Sequence, residues 1–253
     1  MFNIAINTFK ELMRNKMLYL ILFFWILLII FSLALASLSL GQTDKIVIDF
    51  GLSMIEVFWL ISVIFIWSQL LFKEIEWKTI YLILSKPISR FEFIIWKFIG
   101  FAMILACIIF FQSIIFFILL AYSKLQISAI MVYSIFFIFL KLLVLFAIIL
   151  FFSTFISSIL SVILTVLVYI IAHWVSSIID MAVQSKNYIM LMIGKVLYIT
   201  FPNFEALNTK NLILSHTVVS NSFFLFNTLY AFLYLAIILG LTIIIFNFKT
   251  FES

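Results

Sequence analysis

Two charges lie inside runs that are otherwise apolar, and they are the first places to look for chemistry. Lys141 lies near the middle of an expected span at 130–152, inside a 53-residue apolar stretch, 127–179, which carries no other charge. Glu56 stands near the start of another apolar run, 52–72. A charge at mid-bilayer costs at least about 2.5–3.5 kcal/mol on insertion scales, so such a residue usually serves a transport path or a buried polar pocket. Lys141 is read either as meeting an anionic substrate or a carboxylate in a transport path, or as snorkelling or facing a polar pocket between helices. With the second span starting at Leu52, Glu56 lies one turn from its end, and the two depths argue against a direct Glu56–Lys141 pair. Met190 and Met192 with His173 and His216 would suit a soft metal, but nine methionines in such a chain read better as packing. No Ser-His-Asp or paired-carboxylate arrangement looks catalytic. The single Cys107 allows no intrachain disulfide and no thiolate metal cluster.

The elements that position these charges are membrane helices. Of 253 residues, 67% are hydrophobic and 10% charged, against roughly a quarter charged in soluble domains. Lipid must supply part of the solvent. The net charge of +5 fits the excess of cytoplasmic basic residues better than nucleic-acid binding. The expected class is an all-α membrane protein with six spans, at about 17–40, 52–72, 94–122, 130–152, 159–179 and 222–246. Residues 1–16 place Phe2, Ile6, Phe9 and Met13 on one face, as in an amphipathic interfacial helix. A signal peptide ending at Ala34-Leu35-Ala36 is the rival, but its apolar run is longer than a usual signal core. The cluster Ser153, Thr154, Ser157, Ser158 and Ser161 marks a turn between spans four and five. Residues 180–221 form a second polar region, and its apolar piece, Tyr188–Phe201, is too short to span.

Between spans two and three lies a polar island, KEIEWKTIYLILSKPISRFEFIIWK, Lys73 to Lys97. It holds five of the fifteen basic residues and three of the ten acids. Pro87 stops the preceding helix. Ser89-Arg90-Phe91-Glu92 is a capping box that starts the next one. With six spans both termini share a side. Nine basic residues fall on that side together with the island, and five on the other, so termini and island are expected in the cytoplasm. Residues 180–221 are then extracytoplasmic.

The order of these pieces resembles the ABC-2 class of ABC-transporter permeases, the type that includes nitrous-oxide-reductase maturation and haem-export permeases. The match rests on FKELMRNK at Phe9–Lys16, on the island, on the serine-rich turn, and on YITFPNFEALN at Tyr198–Asn208. At Trp77-Lys78 the chain departs from the small residue or glycine that often precedes the threonine. The resemblance implies a type V exporter fold and a bacterial cytoplasmic (inner) membrane. It implies an elbow helix at 1–16 and a coupling region at 73–93 seated on a separate ATPase. Glu74, Glu76, Lys78, Thr79, Ser85, Lys86, Pro87, Ser89 and Arg90 would form the ATPase-coupling surface. Short outer helices before the last span, with Pro202, Asn203 and Glu205, would close the exit. Two permease chains, most simply a homodimer, would pair with two ATPase copies that bind ATP and Mg. This chain has no GxxxxGK[ST] loop, so it is expected to hold no cofactor and to hydrolyse no nucleotide. An ion-coupled transporter using Lys141 and Glu56, or a mechanical coupler acting on an outer protein partner, is the alternative.

Overall fold

The computed structural model describes residues 43–76, 89–185, 187–214 and 220–248, with isolated positions before residue 43. The expected interfacial helix 1–16, the expected first span, the island residues Lys78, Thr79, Ser85, Lys86 and Pro87, His216 and the tail fall largely or wholly outside this set. The described residues are helical, in the order α1 (Thr43–Glu76), α2 (Arg90–Tyr122), α3 (Ala129–Ser153), α4 (Ser158–Gln184), α5 (Tyr188–Thr200), a 3-10 turn (Glu205–Leu207), α6 (Lys210–Leu214) and α7 (Asn221–Phe248). Five of them, α1 to α4 and α7, are long and apolar enough to cross a bilayer.

α3 is the central helix. Seventeen of its 25 residues are buried, including every residue from Leu140 to Leu150. α1, α2, α4 and α7 all pack on it. Phe146 stacks on Phe101 of α2 at 3.7 Å between ring centroids. Phe224 of α7 stacks on both Tyr133 and Phe137. The outer helices turn apolar stripes outward instead. On α7 these are Leu225, Leu229, Phe232, Ile237, Leu241 and Ile244. Such stripes are stable facing lipid and costly facing water.

Helix ends follow local chemistry. At α2 the Glu92 N–H donates to Ser89 Oγ, and the Ser89 N–H donates to Glu92 Oε2 at 3.0 Å, closing the capping box. At the far end Lys124 adopts φ 56°. The Leu125 N–H reaches Leu120 O and the Lys124 N–H reaches Ala121 O, a Schellman motif with lysine where glycine is usual. In the serine-rich turn, Ser153 and Thr154 hydroxyls donate to Leu150 and Phe151 carbonyls of their own helix. This satisfies polar groups that lipid cannot.

α1 differs most from expectation. It begins at Thr43, two turns and more before Leu52, because Asp44, Lys45 and Asp49 ride on the helix rather than in a loop. Gly51 lets it approach α2: a Cβ there would stand 2.5 Å from the buried ring of Phe116. Gly51→Ala is expected to destabilise the protein by about 1–3 kcal/mol through overpacking, read as a lower thermal midpoint in detergent.

Candidate functional site: a buried ionic centre

α1, α3 and α4 bring three polar stripes together. Ser53 and Glu56 share a face of α1, Ser134 and Lys141 a face of α3, and Tyr169, His173 and Ser176 a face of α4. A fourth part arrives from outside the long helices. After α5 the chain turns back into the bundle, burying Asn203, Phe204, Leu207, Thr209 and Ile213. The Phe204 ring is wholly buried and meets the rings of Tyr169 and His173 at 5.9 and 5.6 Å. The Phe204 N–H donates to Ala172 O. Thr209 and Ser134 share a hydroxyl hydrogen bond of 2.6 Å. This re-entrant segment delivers Lys210.

Glu56 lies at the centre. Its Oε1 is 2.6 Å from Lys141 Nζ, and its Oε2 is 2.7 Å from Lys210 Nζ. The Tyr169 hydroxyl donates to Oε1 at 3.3 Å, and the Lys210 ammonium also donates to Ser53 Oγ at 3.2 Å. His173 stands at the edge, with Nε2 3.5 Å from both Glu56 Oε1 and Lys141 Nζ. Its Nδ1 faces the Tyr169 carbonyl at 3.1 Å, which can only accept, so the neutral ring carries its proton on Nδ1. The side chains of Lys141 and Glu56 are 2% and 4% exposed, that of Lys210 18%.

The direct Glu56–Lys141 pair corrects the expectation from depth. Thirteen residues separate Thr43 from Glu56, about 20 Å of helix at 1.5 Å per residue. Glu56 therefore lies level with Lys141, which is at the midpoint of α3. The lysine neither snorkels nor lacks a partner. A buried pair is stable only when its geometry is close and the remaining donors and acceptors are used. The second lysine, the tyrosine and the serine do this here. Lys210, His173, Tyr169 and Ser53 were not singled out for this centre. The available signal was the spacing of polar residues, three, four or seven apart, on otherwise apolar helices.

The other expected site residues separate into groups. Pro202, Asn203 and Glu205 all lie in the re-entrant segment. The Asn203 N–H donates to the Tyr230 hydroxyl at 2.7 Å, and its Oδ1 accepts from Ser176 Oγ and the Ala206 N–H. Glu205 accepts from the Asn208 side-chain amide. Ser89 caps α2. Arg90 points into the protein: its guanidinium donates to Phe246 O and Asn247 O at 3.1 and 3.0 Å, satisfying the last carbonyls of α7. Glu74 and Glu76 lie in the last turn of α1, and their side chains are outside the described set. Met190 and Met192 lie on α5 while His173 faces the ionic centre, so these residues form no common site. Among the described residues no group of three His, Cys, Asp or Glu could hold a metal.

Five bilayer-length helices around a buried ionic centre define a multi-pass helical membrane protein. No family model matches the sequence, and comparison with curated proteins gives no match.

Proposed function

We propose that this chain is the membrane subunit of a transporter of the ABC-2 permease type, moved by a separate ATPase that binds ATP and Mg. The observation that carries the reading is a link along α7 from the island to the re-entrant segment. α1 runs to Glu76 and α2 begins at Arg90, so the island joins the ends of two long helices. Arg90, the first residue of α2, grips the last carbonyls of α7. About 18–24 Å away along α7, in the middle of the helix, Tyr234 donates to Thr200 O and Tyr230 accepts from the Asn203 N–H. A pull on the island therefore reaches the re-entrant segment through one rigid helix. In this reading the island and both termini face the cytoplasm of a bacterial inner membrane. Residues 73–93 dock the ATPase, a first span precedes α1, two copies of the chain pair with two ATPase copies, and Pro202, Asn203 and Glu205 belong to the outer gate.

A second reading is ion-coupled transport, favoured by the buried Glu56, Lys141 and His173 cluster, since intramembrane ionisable groups commonly relay protons or ions. One experiment separates the two without knowledge of the substrate. Asn208→Cys in a Cys107→Ser background places a thiol on the re-entrant segment. In native-membrane vesicles its maleimide labelling rate is expected to change with ATP and Mg. A change with a proton or sodium gradient and none with ATP supports the second reading. A rate indifferent to all of them contradicts both.

A further inference from the structure

We infer that the Oε2 side of Glu56 is a cation-binding site, and that Lys210 fills it as a tethered ammonium. The site has two fixed oxygen donors on one face of α1, Glu56 Oε2 and Ser53 Oγ, at 2.7 and 3.2 Å from the Lys210 nitrogen. The carboxylate does not need Lys210 for neutrality, because Oε1 already holds Lys141 at 2.6 Å. That inner pair is sealed between two long helices. Lys210 is more exposed and comes from the five-residue α6 of the re-entrant segment.

Ser134, Asn208 and Thr209 line a constricted cleft, without room for a water, where Lys210 meets Glu56. Carboxylate, hydroxyl and amide oxygens are the donors that a hard cation or a primary ammonium takes. The wider field has the same sign. Asp49 on α1 lies within electrostatic reach of Lys210, and Glu205 on the segment within reach of Lys141. Once Lys210 withdraws, Lys141 balances Glu56 and Lys45 balances Asp49, and Glu205 leaves the cleft attractive to a cation. The ligand class is a small monovalent cation, as a free ion or as the ammonium of an alkylamine. Because the tethered nitrogen competes for the same oxygens, the free cation enters only as the re-entrant segment lets go. Cation binding and opening of that segment are thus one event. This holds whether or not an ATPase drives the protein.

The test is chemical rescue in the full chain, purified in lipid nanodiscs. Lys210→Ala removes the piece that n-propylammonium replaces. The variant is expected to lose roughly 5–10 °C in thermal midpoint. At equal ionic strength, n-propylammonium chloride or sodium chloride restores at least half of that loss, and choline chloride does not. The more effective of the two identifies the ligand as alkylammonium or free ion. Adding Glu56→Gln to Lys210→Ala abolishes the recovery. Equal recovery in choline, recovery that survives Glu56→Gln, or none with either small cation overturns the inference. Where Lys210→Ala unfolds on extraction, the yield of folded protein with each salt present during extraction is read instead, with the same outcomes.

Discussion

Glu56→Leu is expected to cost the folded protein about 3–5 kcal/mol, since it leaves a buried ammonium without its counter-charge. Lys141 is the residue stranded: it is 2% exposed and held by Glu56 Oε1, with the more distant His173 nitrogen as its other partner among the described residues. Lys141→Met costs less, because Glu56 keeps Lys210 at 2.7 Å and the Tyr169 hydroxyl. The double variant Glu56→Leu with Lys141→Met regains most of the loss, as replacing both partners of a buried pair by apolar groups is often neutral. In that variant Lys210, the partly exposed member, turns its ammonium toward water. Thermal midpoints of the three proteins give the order directly. A double variant as unstable as the summed singles contradicts the pairing.

Phe204→Ala is the second large effect, about 3–5 kcal/mol by the usual cost of truncating a buried phenylalanine. Its loss is felt locally before it is felt globally. The ring is what the re-entrant segment packs against the touching rings of Tyr169 and His173, and the Phe204 N–H on Ala172 O closes the same joint. Hydrogen exchange is expected to quicken across 201–214, while α2 and α3 keep their protection. Uniform loss of protection in all helices shows instead that the segment belongs to the core. Unchanged exchange shows that the Lys210 and Thr209 contacts hold it alone.

The helices were legible where apolar runs are long and ends carry local signals. The capping box at Ser89–Glu92 depends on two side chains three residues apart, and it forms at the residues that spelled it. The serine cluster likewise marks the break between α3 and α4, since its hydroxyls bond back to nearby carbonyls. The start of α1 was not legible, because Asp44, Lys45 and Asp49 look like a loop to any hydropathy reading. That one misplacement put Glu56 at the membrane surface and hid its pairing with Lys141. The rest of the ionic centre is tertiary: Lys210 reaches Glu56 across 154 positions and Tyr169 across 113. Arg90 shows the same limit in reverse. Its place in a basic island suggested an outward docking charge, yet the nearest carbonyls needing a donor were those at the end of α7. For that reason Arg90 is a poor choice for testing a partner surface, and the island residues Lys86 and Glu76 are better ones.

The most direct measurement is purification of this chain from its native membranes in mild detergent, followed by assay of nucleotide hydrolysis. An ATPase subunit is expected to come with it, and Lys86→Glu combined with Glu76→Lys to lose this partner while the membrane chain keeps its thermal midpoint. A folded chain recovered with no hydrolysing partner contradicts the ATPase-coupled reading and favours the ion-coupled one.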